Sequence, residues 1–167
     1  MCSSDLDVPL PSYQTGLSGV QKSASAQSLL CSAAFLGAPG SQYYDLADLP
    51  SGVAGRNMPD VSLNADPYSG YAIYEGGWGT GSGGTSFVAP QLNGILTLIS
   101  SGLSGRVGPI NPQLYAAFRT QGYAAGSPFK AITAGDNEYF KSTATYNPST
   151  GLGSLDVNAL ATTLGVH

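Results

Sequence analysis

The stretch Ser82-Gly83-Gly84-Thr85-Ser86-Phe87-Val88-Ala89-Pro90-Gln91-Leu92-Asn93-Gly94-Ile95-Leu96-Thr97-Leu98-Ile99 decides the fold. Apolar positions 88, 92, 95, 96 and 99 fall on one face at helical spacing, which predicts a core helix. Pro90 lies in its first turn, where a missing N–H costs least. Just upstream, residues 75–84 hold six glycines and predict a loop that brings backbone close to something. A serine placed where such a loop turns into a helix has an accessible hydroxyl and an unhindered backbone. The orphan N–H groups and positive end of the helix favour a negative charge beside it. Those are the needs of a nucleophile whose substrate carbonyl becomes an oxyanion, with Ser86 in that role. The plainer alternative is that Thr85 or Ser86 only caps the helix.

Working outward, Asp60-Val61-Ser62-Leu63-Asn64-Ala65 alternates with period two and reads as a strand. Residues 66–70 then read as a turn and Tyr71-Ala72-Ile73-Tyr74 as a second strand. Further upstream, residues 8–14 form an extended, proline-stiffened lead-in, residues 24–30 read as helix, and residues 37–58 as a long surface loop. Downstream, Asn111-Pro112 opens a helix through about Phe118, and residues 157–164 read as a last helix after a run of turns and short apolar pieces. No internal repeat or linker divides the chain.

Of 167 residues, 42% are hydrophobic and 10% charged, with a net charge of −4. No basic stripe is present to meet a polyanion, which argues against nucleic acid as a partner. No apolar run reaches the roughly 18 residues of a membrane span. Ten Tyr, five Phe and one Trp are too many aromatics for a solvated, disordered chain. Cys2 and Cys31 allow at most one disulfide. The only histidine is His167, so catalysis with a histidine base must borrow that base from elsewhere. The opening Met1-Cys2-Ser3-Ser4-Asp5-Leu6 has neither the basic nor the apolar region of a signal peptide. It back-translates to the end of a common sequencing-library adapter, and residues 1–7 are therefore read as an artefact or a truncated start.

The segment around Ser86 resembles the nucleophile region of the subtilisin-like clan. Subtilisins commonly follow that serine with Met, whereas Phe87 stands here. Arg56-Asn57-Met58-Pro59-Asp60-Val61-Ser62, then Ala65-Asp66-Pro67-Tyr68-Ser69-Gly70-Tyr71, look like the sedolisins, the serine-carboxyl peptidases. So do Tyr146-Asn147-Pro148-Ser149-Thr150-Gly151-Leu152-Gly153-Ser154 and the proline–aromatic–Gln element Pro11-Ser12-Tyr13-Gln14. The resemblance covers residues 8–14 and about 56–165 and identifies residues 8–167 as the C-terminal part of such a peptidase domain.

The resemblance implies an α/β, subtilisin-like three-layer fold with a parallel sheet, its N-terminal part missing, and a secreted serine-type endopeptidase working at acidic pH on protein or peptide substrates. In that family a glutamate paired with an aspartate activates the serine, and another aspartate helps hold the oxyanion. A carboxylate can accept a proton at acidic pH, where a histidine would already carry one. By family order those partners precede residue 8; Asp5 does not sit in the expected surroundings and is not assigned. The missing N-terminal half or a pro-segment is thus an expected partner. The alternative is a catalytically incompetent binding or structural module.

The family also carries a calcium site near its C-terminus, built on an Asp-Ile pair, two glycines and an aspartate. The matching positions here are Ala131-Ile132, Thr143, Thr145 and Asn147, so both carboxylates are gone. Backbone carbonyls of Ile132, Thr143 and Thr145 would survive, but the loss of two charges weakens calcium binding. Asp136, Glu138 and Asp156 are the nearby carboxylates that could compensate, or else are solvated surface groups.

Overall fold

The computed structural model describes residues 8–22, 28–31, 42–45, 55–137 and 140–166. Cys2, Asp5, Glu138 and His167 lie outside the described residues, as do residues 1–7 and 24–27. The elements, in chain order, are β1 (Ser28–Cys31), β2 (Gln42–Asp45), β3 (Tyr71–Tyr74), β4 (Trp78–Ser82), a 3-10 turn (Thr85–Phe87), α1 (Val88–Ser101), α2 (Ile110–Gln121), β5 (Phe129–Lys130), β6 (Ser154–Leu155) and α3 (Val157–Thr163).

The helices lie where periodicity and caps place them. Pro112 falls in the first turn of α2, where it removes no intrahelical bond. Asp156 caps α3, its carboxylate accepting from the Ala159 N–H at 3.0 Å. No helix among the described residues is long and apolar enough to cross a membrane.

The strands depart from expectation. Every pairing among the described residues is antiparallel, in the two-stranded sheets β1–β2, β3–β4 and β5–β6. A parallel subtilisin-like sheet is therefore not present among them; what they show is a mixed α/β arrangement. Residues 60–65, read as a strand, form none in the structure. Their backbone bonds go singly to separate places: Leu152 N–H to Asp60 O at 2.8 Å, Ser62 N–H to Gly153 O at 3.0 Å, and Gly84 N–H to Ala65 O at 2.6 Å. The region read as a glycine loop instead contains β4, because Gly76 adopts φ +67 and lets the chain reverse between Tyr74 and Trp78. β2 likewise replaces part of the predicted loop 37–58, and Ser28–Cys31 is strand where residues 24–30 were read as helix.

The buried apolar core consists of Ile99, Leu114, Tyr115, Phe129, Tyr146, Leu152 and Leu160. Phe118 packs edge-on against Phe129 and Tyr123, with centroids 5.2 and 5.0 Å apart. α1 meets the core along its predicted face: Ile99 is buried, Ile95 packs half-buried against the core, and Val88, Leu92 and Leu96 are half-buried, whereas Leu98, outside that face, is 73% exposed. The central helix is α2, which buries Leu114 and Tyr115.

A polar network is set against this core. The Asp60 carboxylate accepts from Tyr115 OH at 2.9 Å and Asn111 Nδ2 at 3.1 Å, and pairs with Arg56. Tyr115 OH in turn accepts from Gln14 Nε2 at 2.8 Å. Gln14, fully buried, also bonds Asn57 in both directions, donating to its carbonyl at 2.8 Å and accepting from its N–H at 2.9 Å. Arg56 donates to Tyr13 OH at 2.7 Å. Burial alone would lower the Arg56 pKa, but the bond and charge of Asp60 outweigh it and the net shift is upward.

Removing one member of a largely desolvated pair leaves the other charge stranded, so Asp60→Ala should destabilise the chain by about 2–4 kcal/mol in urea unfolding. Burial, followed by the nearby hydroxyl of Tyr146 and carboxylate of Asp60, pushes the Tyr115 hydroxyl well above its usual range; burial and Asp60 do the same to Tyr146. Their stabilising contribution is whole below the unfolded tyrosine pKa of about 10 and is lost as pH rises past it. In an alkaline titration followed by ultraviolet difference absorbance, these two tyrosines should ionise together with unfolding, not before it.

Candidate active site

Ser86 occupies the middle of the 3-10 turn that runs directly into α1, and its side chain is exposed. The turn starts from Gly84 and α1 from Phe87, and neither start carries a side-chain capping bond. The Thr85 and Ser86 hydroxyls thus cap nothing, which removes the plainer alternative. Among the described residues the Ser86 hydroxyl has no hydrogen-bond partner, and the backbone N–H groups of Thr85 and Ser86 have no acceptor. Those free donors lie at the positive end of a 14-residue helix.

Three contacts hold this turn. Gly84 N–H donates to Ala65 O at 2.6 Å. The Phe87 ring stacks on Tyr71, centroids 5.3 Å apart and planes 6° from parallel. At Gly83 a side chain is excluded, since a Cβ would lie 2.5 Å from the Pro67 nitrogen. The tie to Tyr71 depends on the aromatic residue that follows Ser86, a feature read from the sequence only as a departure from Met.

The two carboxylate oxygens of Asp66, beside Pro67, accept from Tyr68 N–H at 3.0 Å and Ser69 N–H at 2.9 Å. Those bonds hold its pKa below the usual carboxylate value and commit it to the turn. Among the described residues no carboxylate or imidazole bonds Ser86. Among the described residues, then, the turn presents free N–H donors and an exposed hydroxyl with no titratable group bonded to it. Two open surface depressions, one lined by Gln113 and Thr163 and the other by Asn93 and Arg106, do not include Ser86.

At the positions where the resemblance implies a calcium site, Asn147 Nδ2 donates to the carbonyls of Thr143 at 3.3 Å and Thr145 at 3.1 Å. These are two of the oxygens a cation would need, and an N–H group already points at them. Ile132 has no hydrogen bond to this cluster among the described residues. Asp136 is exposed in a bridge with Lys141, and Asp156 caps α3 with Lys130 at 3.9 Å. No group of three or more His, Cys, Asp or Glu among the described residues is placed to hold a metal. Donors facing carbonyls do not fit a calcium ion.

No protein-family model matches the chain. Kumamolisin from Bacillus sp. (strain MN-32), a sedolisin, is 37% identical over 111 residues, covering 63% of this chain. The matched part is 19% of the length of that relative, so the chain spans about a fifth of it. This likeness supports a sedolisin-like relationship for the chain.

Proposed function

We propose that this chain carries the nucleophile of a serine-type endopeptidase of the sedolisin kind, with Ser86 as the attacking residue. The carrying observation is the exposed Ser86 hydroxyl beside its own free backbone N–H at the start of α1. In the reaction so proposed, Ser86 Oγ bonds to the scissile carbonyl carbon and its proton passes to a carboxylate base. The carbonyl oxygen becomes an oxyanion, which the Ser86 N–H and the helix end stabilise. Collapse expels the amine, which leaves with a proton, and water then releases the acyl group. The base, its aspartate partner and the oxyanion aspartate come from polypeptide outside these 167 residues, and the substrate is a protein or peptide outside the cell. Calcium takes no part in this scheme.

A serine without a base is a weak nucleophile, so the 167-residue chain alone should not cleave a denatured protein at about pH 4. A longer protein that supplies the three carboxyl groups should do so. In that protein Ser86→Ala should lower kcat by roughly 10⁴-fold or more with the fold unchanged by circular dichroism. Gly83→Ala, which pushes the turn off Pro67, should lower kcat/KM by about 100-fold through misplacement of Ser86. Retained cleavage by Ser86→Ala would overturn the assignment, and turnover by the short chain would overturn the division of the site.

A further inference from the structure

Asn147 is 4% exposed, and every polar atom of its amide is engaged. Its Oδ1 accepts from the N–H groups of Ser149 at 3.1 Å and Thr150 at 2.9 Å and from Thr150 Oγ1 at 3.1 Å. Its Nδ2 donates to the carbonyls of Thr143 and Thr145. Backbone N–H groups only donate and carbonyls only accept, so the amide can sit in one orientation alone. Its backbone is pinned as well, through the paired bonds between Asn147 and Gly151 at 2.8 and 3.3 Å. The preceding residue, Tyr146, is fully buried in the core.

We propose that the Asn147 amide does the work of a divalent cation in this loop. Carbonyl oxygens converging on one point need a positive pole between them, and here the –NH2 supplies it. The amide oxygen meanwhile serves the N–H donors of residues 149 and 150 as a carboxylate would. One neutral side chain thus closes residues 143–150 without metal. A carboxylate at position 147 would reverse the local sign: an oxygen would face the Thr143 and Thr145 carbonyls, and only a cation between them would relieve the repulsion. This inference stands apart from the role of Ser86.

The test compares thermal unfolding of the full chain and its Asn147→Asp variant near neutral pH, in millimolar calcium, in magnesium and in chelator. The unmodified chain should melt at the same temperature in all three. Asn147→Asp should melt about 5 °C lower in chelator, and calcium but not magnesium should restore most of that loss. If the variant does not fold in chelator, recovery of its circular dichroism on refolding in calcium is the readout, and failure to recover overturns the proposal. It is equally overturned if calcium raises the melting temperature of the unmodified chain by several degrees, or if Asn147→Asp is as stable as the parent in chelator.

Discussion

The Asp60 carboxylate is the constraint on which most of the described structure depends. It sits with Arg56 at 18% side-chain exposure for both partners, where an uncompensated charge would be costly. It is satisfied only when Tyr115 and Asn111, on α2, face it together with Arg56. Through Tyr115 the demand passes to Gln14, 101 positions away in sequence, and through Gln14 to Asn57. Three distant segments are registered by one anion. The segment after Asp60 then leaves in a fixed direction, bonded to Leu152, Gly153 and finally Gly84. The placement of Ser86 thus traces back, bond by bond, to where Asp60 is held.

Work is divided along that path. The polar network and the aromatic core supply rigidity, while the turn at Ser86 presents an exposed hydroxyl and free N–H donors. Free donors at a helix start cost little in solvent and gain strength when a substrate excludes water around them. The exposed setting of Ser86 accords with the proposal that the turn forms one wall of a site.

The elements legible in the sequence were those governed by local chemistry: the β3 strand, the starts of α2 and α3, and a serine at the entrance of α1. What escaped depended on partners far along the chain. The alternation in residues 60–65 suggested a strand, but a strand also needs a neighbour, and none of the described strands pairs with it. The apolar stripe of α1 has helical spacing and its five positions are all buried or half-buried, but depth is decided by what covers each one, and only Ile99 is buried outright. Six glycines suggested a loop, whereas Gly76 makes a tight reversal and leaves the flanking residues free to pair. Asp60, Gln14 and Tyr146 stood out as motif residues with no indication that they meet around Tyr115. That positions 131 and 147 carry no carboxylate was readable. That the amide at 147 turns a donor toward the carbonyls was not, because it depends on the orientation of a side chain.

The hairpin of β3 and β4 has a consequence for how the molecule can be watched. Trp78 is the single tryptophan of the chain, 77% exposed and packed edge-on against Tyr74 at 5.3 Å. Intrinsic indole emission therefore reports on the tip of this hairpin and is nearly blind to the collapse of the core, which holds Tyr115 and Tyr146 instead. A blue shift of that emission would signal that another surface has settled over the hairpin, with no change needed in the fold beneath.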